Sequence, residues 1–341
     1  MKKICFAILF FLLPCKVIFA QDLTKDFNLT LPKNKIQNSL YRSIDLVDSR
    51  IDTFRLGIVQ VGIFNNKAKV IFGAPFFVQL KNVMSSLIDS SAKNGELLFQ
   101  LRHLYFAEIT KAMSEKGYCY LRAGLYAKKD NHYRKLGYID TLIVINAMDV
   151  TIPMLKLGSK LITDMIASNL LKEANDSINY SFAEIAQMDS VEKRKIPLYN
   201  TDKYTDGLYY SYTSFANQLP DKQVTVKNNK DGSIDNVKIA DGKGKLKKVK
   251  PGEVYAMVTN GHPFAATNYG YYPIKKASDN FYFIGKAQST ADQGNVAMAS
   301  FLFGMIGGLI ASSNGNTTFV MVIDHHNGGF IHLREVKQHY D

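Results

Sequence analysis

The residues with the clearest chemical reach are Asp324, His325 and His326, with His332 a short way downstream. One carboxylate and two imidazoles make a donor set that a divalent metal accepts, with a position left for water. Period-two alternation in TFVMVIDHH puts Asp324 and His326 on one side of a strand. The turn signal Asn327-Gly328-Gly329 folds GFIHLREV back and brings His332 towards them. The chemistry of such a set, Asp324, His326 and His332, is metal-assisted hydrolysis. A plainer reading makes the same residues the polar end of a hairpin, and on that reading the chain needs no metal and no cofactor.

Asp-His-His is also the tripeptide of DHH-type phosphoesterases, so a phosphoesterase-like hydrolase is the competing function. Those enzymes use further upstream aspartates, and no matching elements occur in this chain. No Gly-x-Ser-x-Gly elbow, His-Glu-x-x-His helix or phosphate-binding glycine loop is found either. His103 reads as a strand residue, His132 as a turn residue and His262 as a loop residue, and Glu96 and Glu108 have no reason to be in register. Cys119 alternates with Leu121 and Leu125 on an apolar strand face, which makes it an inert core residue. A non-enzymatic protein is the expectation.

Its location is easier to read. Met1-Lys2-Lys3, an apolar stretch from Ile4 to Leu13 and Ile18-Phe19-Ala20 have the form of a signal peptide over residues 1–20. Cleavage after Ala20 competes with lipidation at Cys15, where Leu12-Leu13-Pro14 lacks the small residue a lipobox wants. Loss of Lys2, Lys3 and Lys16 lowers the formal charge from +12 to +9. Cys119 then remains alone, so no internal disulfide can form and the fold must rest on its core. The expected location is the periplasm or the periplasmic face of the outer membrane. Nine lysines between Lys222 and Lys250 lack arginines and stacking aromatics, which argues for a solvated hairpin region and against nucleic acid.

The elements that must position these residues fall into two parts. FRLGIVQVGIFNNKAKVIFG is a strand pair turning at Asn65-Asn66, and Phe76, Leu80, Val83, Met84 and Leu87 follow helical spacing behind Pro75. GELLFQLRHLYFAEI is a strand. In YCYLRAGLYAKK, Cys119, Leu121, Ala123, Leu125 and Ala127 face one way while Tyr118, Tyr120, Arg122 and Tyr126 face the other. YRKLGYIDTLIVIN pairs with it, and a second helix is expected over about 152–174, capped by Asp149 or Thr151. These elements predict an α+β fold: an antiparallel sheet covered on one face by two helices. The order strand pair, helix, strand hairpin, helix over residues 50–175 resembles the domain of ABC-type transport auxiliary proteins. That resemblance implies an envelope component acting as a structural partner of a transport system, with no catalytic residue.

The second part opens on the capping box Ser181-Phe182-Ala183-Glu184, with VEKRK as a charged helix exit. Gly207, Leu208, Tyr209, Ser214, Phe215, Asn217 and Pro220 then resemble a pattern of uncharacterised exported proteins of Bacteroidota, from which Ala216 departs. That resemblance implies an envelope location and no transferable activity. From residue 222 the chain reads as a β-meander, with a tyrosine cluster at Tyr269, Tyr271 and Tyr272 that a surface adhesin or ligand-binder can use. The expected divisions are a signal peptide 1–20, a lead segment 21–50, an α+β domain 51–176, connecting helices 177–221 and a β-rich domain 222–341.

Inside the last division, residues 296–312 form an uncharged glycine-rich run, VAMASFLFGMIGGLIAS. As a helix its 17 residues reach roughly 25 Å, short of a hydrocarbon core of about 30 Å. No basic cluster follows it, so burial or a packing contact is favoured over a span. Ser300, Gly304, Gly308 and Ser312 recur at every fourth residue and mark the expected packing or assembly face. The expected partners are therefore another protein or a second copy, with contact at a membrane surface as the variant.

Overall fold

The computed structural model describes residues 23–50, 53–62, 64–111, 114–175, 177–228, 234–241, 243–286 and 318–336. The expected signal peptide 1–20 and the run 296–312, with Ser300, Gly304, Gly308 and Ser312, lie outside them. Strands β1 (Thr24–Phe27), β2 (Tyr41–Asp48), β3 (Gly57–Val61) and β4 (Asn66–Phe72) precede helix α1 (Phe76–Leu87). The long strands β5 (Gly95–Lys111), β6 (Ser114–Lys129) and β7 (His132–Ala147) follow, and then α2 (Thr151–Ala167). The first sheet runs β1-β4-β3-β5-β6-β7, with β2 also paired to β5. The fold is α+β, as the period changes predict.

The structure differs from the sequence reading in the sheet, the lead segment and the second helix. The sheet is mixed, because β1–β4, β2–β5 and β3–β5 pair in parallel. The lead segment 21–50 therefore belongs to the sheet, as β1 and β2. A strand as long as β5 exposes more backbone edge than one neighbour covers, so β2 takes residues 95–101 and β3 takes Phe106 and Ala107. Helix α2 also ends at Ala167, short of the expected 174, and continues only as turns. Val150 is its N-cap, and Asp149 contributes by accepting a bond from the Thr151 amide at 3.1 Å.

The inner face alternates as the sequence implies. Phe99, Leu101, Leu104, Phe106, Cys119, Leu121, Ala123 and Leu125 meet Leu80, Val83, Met84, Met154, Ile162 and Ile166 of the two helices. Each large side chain so buried stabilises the fold by roughly 1.5–3 kcal/mol. Helix α2 lies close against the sheet at Gly158, where an added Cβ would lie 2.6 Å from the Phe106 ring and 3.3 Å from Cys119 Sγ. Gly158→Val is expected to cost about 1–3 kcal/mol by overpacking, read as a lower urea midpoint at unchanged m-value. An unchanged midpoint would mean that the helix is not seated on Phe106.

One register fault in β5 shapes everything that follows. Core positions are odd-numbered through Leu97, Phe99 and Leu101, then even-numbered at Leu104 and Phe106. A bulge between Leu101 and His103 makes the switch, setting His103 opposite Arg122. The extra residue, Arg102, is turned away from the helices.

That outer face is covered too. Short helices α3 (Phe182–Ala186) and α4 (Met188–Lys193) cross it, and Ser181 caps α3 in the expected box. Ile185 and Met188 pack on Val47, Leu98 and Tyr126. After α5 (Pro197–Asn200), β8 (Gly207–Tyr209) and α6 (Tyr212–Ala216), the chain builds three small sheets. They comprise β9 (Thr225–Asn228), β10 (Ile234–Ala240) and β11 (Leu246–Lys248); β8 with β12 (Ala256–Thr259), β13 (His262–Thr267) and β14 (Gly270–Pro273); and β15 (Lys275–Ala277), β16 (Asn280–Gly285), β17 (Phe319–Ile323) and β18 (Phe330–Glu335). In the last of these, Val322 and Ile331 touch Tyr120 of the first sheet. β16 and β17 pair directly, Gly285 opposite Phe319, so the chain leaves and re-enters this sheet at one place. Among the described residues no helix is long and apolar enough to cross a membrane.

Candidate functional site

The bulge and the outward-facing side chains of β6 place two arginines between the first sheet and the elements laid over it. Arg122 is 0% exposed and Arg102 2%, the two largest fully buried side chains of the described chain. A guanidinium keeps its charge in any environment, so each must be met by carboxylates that come from elsewhere.

Arg122 grips Asp324 with both terminal nitrogens, Nη2 to Oδ2 at 2.9 Å and Nη1 to Oδ1 at 3.3 Å. Its Nε donates to Asp140 Oδ2 at 3.1 Å, and the Tyr120 hydroxyl donates to Asp140 Oδ1 at 2.6 Å. Arg102 turns the other way, to α4. Its Nε donates to Asp189 Oδ1 at 3.1 Å, and its Nη1 donates to Glu192 Oε1 at 2.9 Å. Asp189 and Glu192 are three residues apart on α4 and so share the face that looks down on the sheet.

Asp324 follows β17 and starts the turn to β18. Its carbonyl accepts from the Gly328 amide at 2.7 Å, and Gly328 has φ +77°, a left-handed conformation suited to glycine. Asp324 Oδ1 also accepts from the His326 amide at 3.0 Å. Both histidines of this turn reach Glu192: His326 Nε2 lies 2.7 Å and His325 Nε2 3.0 Å from the same oxygen, Oε2. Tyr212 donates to the His325 carbonyl and Tyr255 to the Gly328 carbonyl, which fixes the turn from its far side.

Electrostatics follow from this packing. Burial raises the Asp324 carboxyl, but the Arg122 guanidinium outweighs it and holds the group below the ordinary carboxylate range. Burial likewise opposes ionisation of Glu192 and Asp189. Hydrogen bonds from His325, His326 and Arg102 depress the first, and the Arg102 charge depresses the second. Burial, helped by the nearby Arg122 charge, pushes the His103 imidazole down to about 3, and burial lowers His325 as well.

The structure regroups the residues singled out from the sequence. Asp324 is spent on Arg122, so it does not join His326 as a metal ligand. His332 stands on β18 opposite Met321 in the strand register. The described His, Asp, Glu and Cys residues that come within ligating range are Glu192, His325 and His326, whose donor atoms lie within 4.8 Å of one another. Cys119 is buried under α2 and its thiol is pushed up to about 12, as an inert core residue requires.

Sequence reasoning placed Arg122 on the outer face but missed its partners, and missed Arg102, Asp189 and Glu192 altogether. The switch in apolar parity between Leu101 and Leu104 was a readable signal for the bulge. Within VEKRK, read as a charged helix exit, Lys193 is buried and its Nζ donates to Asn280 Oδ1 at 2.8 Å. Of the tyrosine cluster, Tyr269 is exposed, whereas Tyr272 stacks on Phe283 with ring centroids 6.0 Å apart. The lysines of the β9–β11 region, among them Lys243, Lys245, Lys247 and Lys248, are exposed, in keeping with the solvated reading.

No family model matches the chain, and no curated protein matches it significantly. Among solved structures it is similar to protein XCC0632 from Xanthomonas campestris, family model DUF330. The identity is 8% and the TM-score 0.28, over 50% of this chain and 99% of that one.

Proposed function

We propose that the protein is a non-enzymatic component of a bacterial cell envelope that works by binding or scaffolding, in company with a transport or export assembly. One observation carries the binding reading. Phe64, Met148 and Ile152 are 81%, 90% and 49% exposed and gather at one end of the first sheet. Phe64 lies in the β3–β4 turn, and Met148 and Ile152 flank the entry to α2. Thr151 ties α2 to β3 and β5, its hydroxyl donating to the Glu108 carboxylate at 2.6 Å and lying 3.3 Å from the Gln60 carbonyl. Large apolar side chains exposed on elements that end on the same side of the sheet offer a contact surface. The envelope location draws on the N-terminal signal, and the transport association on the order of elements in residues 50–175.

The buried charges support the same reading. The arginines and carboxylates of the seam are paired with one another, and Asp324, the centre of the hydrolase alternative, is closed off by Arg122. The test is retention of an envelope protein by the chain from Gln21 onward, against a Phe64→Asp/Met148→Asp variant. The wild type is expected to retain a partner that the variant loses at least tenfold at unchanged thermal stability. Equal retention by both would remove the rim as the binding surface, and pelleting with lipid vesicles alone would move the contact to the membrane.

A further inference from the structure

We infer that Glu192, His325 and His326 form a site for one divalent transition-metal ion of the zinc class, closing α4 onto the β17–β18 turn. The inference is independent of the apolar rim and starts from a hydrogen-bond conflict. Glu192 Oε2 lies 2.7 Å from His326 Nε2, 3.0 Å from His325 Nε2 and 2.5 Å from Arg102 Nη2. Three donors on one carboxylate oxygen exceed the two lone pairs it presents in its plane. His326 Nε2 is in addition 3.0 Å from Arg102 Nη2. Arginine can only donate, so a protonated Nε2 opposes Arg102 and an unprotonated one opposes the carboxylate. No tautomer of His326 satisfies both neighbours.

A metal ion removes the need for a proton on either Nε2, while Arg102 Nη2 keeps Asp189 Oδ1 as its acceptor at 2.5 Å. Both imidazoles then turn unprotonated Nε2 atoms towards a cation, Glu192 supplies Oε2, and the ligand set is two nitrogens and one oxygen. Arg102 keeps Glu192 through Oε1 at 2.9 Å and is itself anchored by Asp189, the arrangement in which an outer partner orients a metal-binding carboxylate. The surrounding charge suits a dication. Asp140, Asp189, Glu192 and Asp324 face Arg102 and Arg122, a surplus of two negative charges. Adding the neighbouring Lys193 and Asp279 leaves that surplus unchanged. Entry is open, since the Glu192 and His326 side chains remain 27% and 23% exposed.

The ligands also explain the chain order. One comes from a helix that crosses the first sheet and two from a turn of the last sheet, so an ion here pins the C-terminal region to the N-terminal one. The test is zinc titration of the EDTA-treated chain from Gln21 onward, in competition with a chromophoric chelator. One equivalent is expected to bind and to raise the thermal midpoint. His326→Ala, at a partly exposed position, is expected to weaken binding at least tenfold with an unchanged circular dichroism spectrum. His132→Ala and His262→Ala, both at exposed positions, should leave it unaltered. Absence of stoichiometric zinc in the wild type would overturn the site. So would undiminished affinity in both His326→Ala and His325→Ala, or a comparable loss in His132→Ala.

Discussion

Arg122→Ala is expected to lower the unfolding free energy by about 3–5 kcal/mol, the cost of leaving a buried partner charge uncompensated. The orphaned group is Asp324, whose side chain is 2% exposed and whose two oxygens are both committed to Arg122. Asp140 suffers less, because its side chain is 28% exposed and water can replace the lost guanidinium. Asp324→Ala should cost a similar amount by stranding Arg122. The double change Arg122→Met/Asp324→Leu removes both charges and should recover most of the loss, because an apolar pair of similar volume needs no partner. Urea denaturation of the wild type, both single variants and the double variant measures all of this. The surface pair Lys160–Asp164, with side chains 68% and 60% exposed, is the control and should change stability by under about 1 kcal/mol on Lys160→Ala. Losses below about 1 kcal/mol in both buried single variants would mean that the seam admits water and does not join the two parts of the chain.

Acidification should weaken the metal-free fold well before carboxylates begin to titrate. His103 is held down to about 3 in the folded protein, whereas an unfolded histidine takes up its proton near 6.5. Between those values the unfolded chain binds more protons than the folded one, so stability falls as pH falls. It is complete above about 6.5, and this one group can remove up to about 1.4 kcal/mol for each further pH unit. His325, lowered by burial, acts in the same direction. Asp189, Glu192 and Asp324 follow at lower pH. Their folded values lie below the ordinary range, so their stabilisation is present above about 4 and is lost as pH drops through the folded values. Urea midpoints at pH 8, 7, 6 and 5 in EDTA should therefore fall below pH 6.5, with His103→Gln reducing the slope. A flat profile down to pH 5 would show that His103 is reached by solvent in the folded protein.

Both predictions concern a seam whose two sides were unequally legible in the sequence. The inner face of the sheet could be read because its partners are local: Cys119, Leu121 and Leu125 alternate, α1 and α2 carry helical stripes, and apolar surface needs no specific mate. The outer face carried equally regular signals in Tyr118, Tyr120, Arg122 and Tyr126, but its meaning depends on partners far along the chain. Arg122 meets Asp324 across a separation of 202 residues, and Arg102 meets Glu192 across 90. Nothing in the spacing of either arginine specifies which carboxylate will answer it.

What the sequence determined alone is the class of the fold, the two helices and their buried stripes, the capping box at Ser181, and the direction in which Cys119 and Arg122 point. Periodicity and capping act over a few residues, so they survive being read one segment at a time. What only the tertiary structure decided is the use of the charged groups. It withdrew Asp324 from the metal-ligand set by pairing it with Arg122, brought in Glu192 from a short helix, and set His325 and His326 against one carboxylate oxygen. Charge pairing in a buried seam is a matter of distance in space, and a few ångströms of separation there bear no relation to separation along the chain.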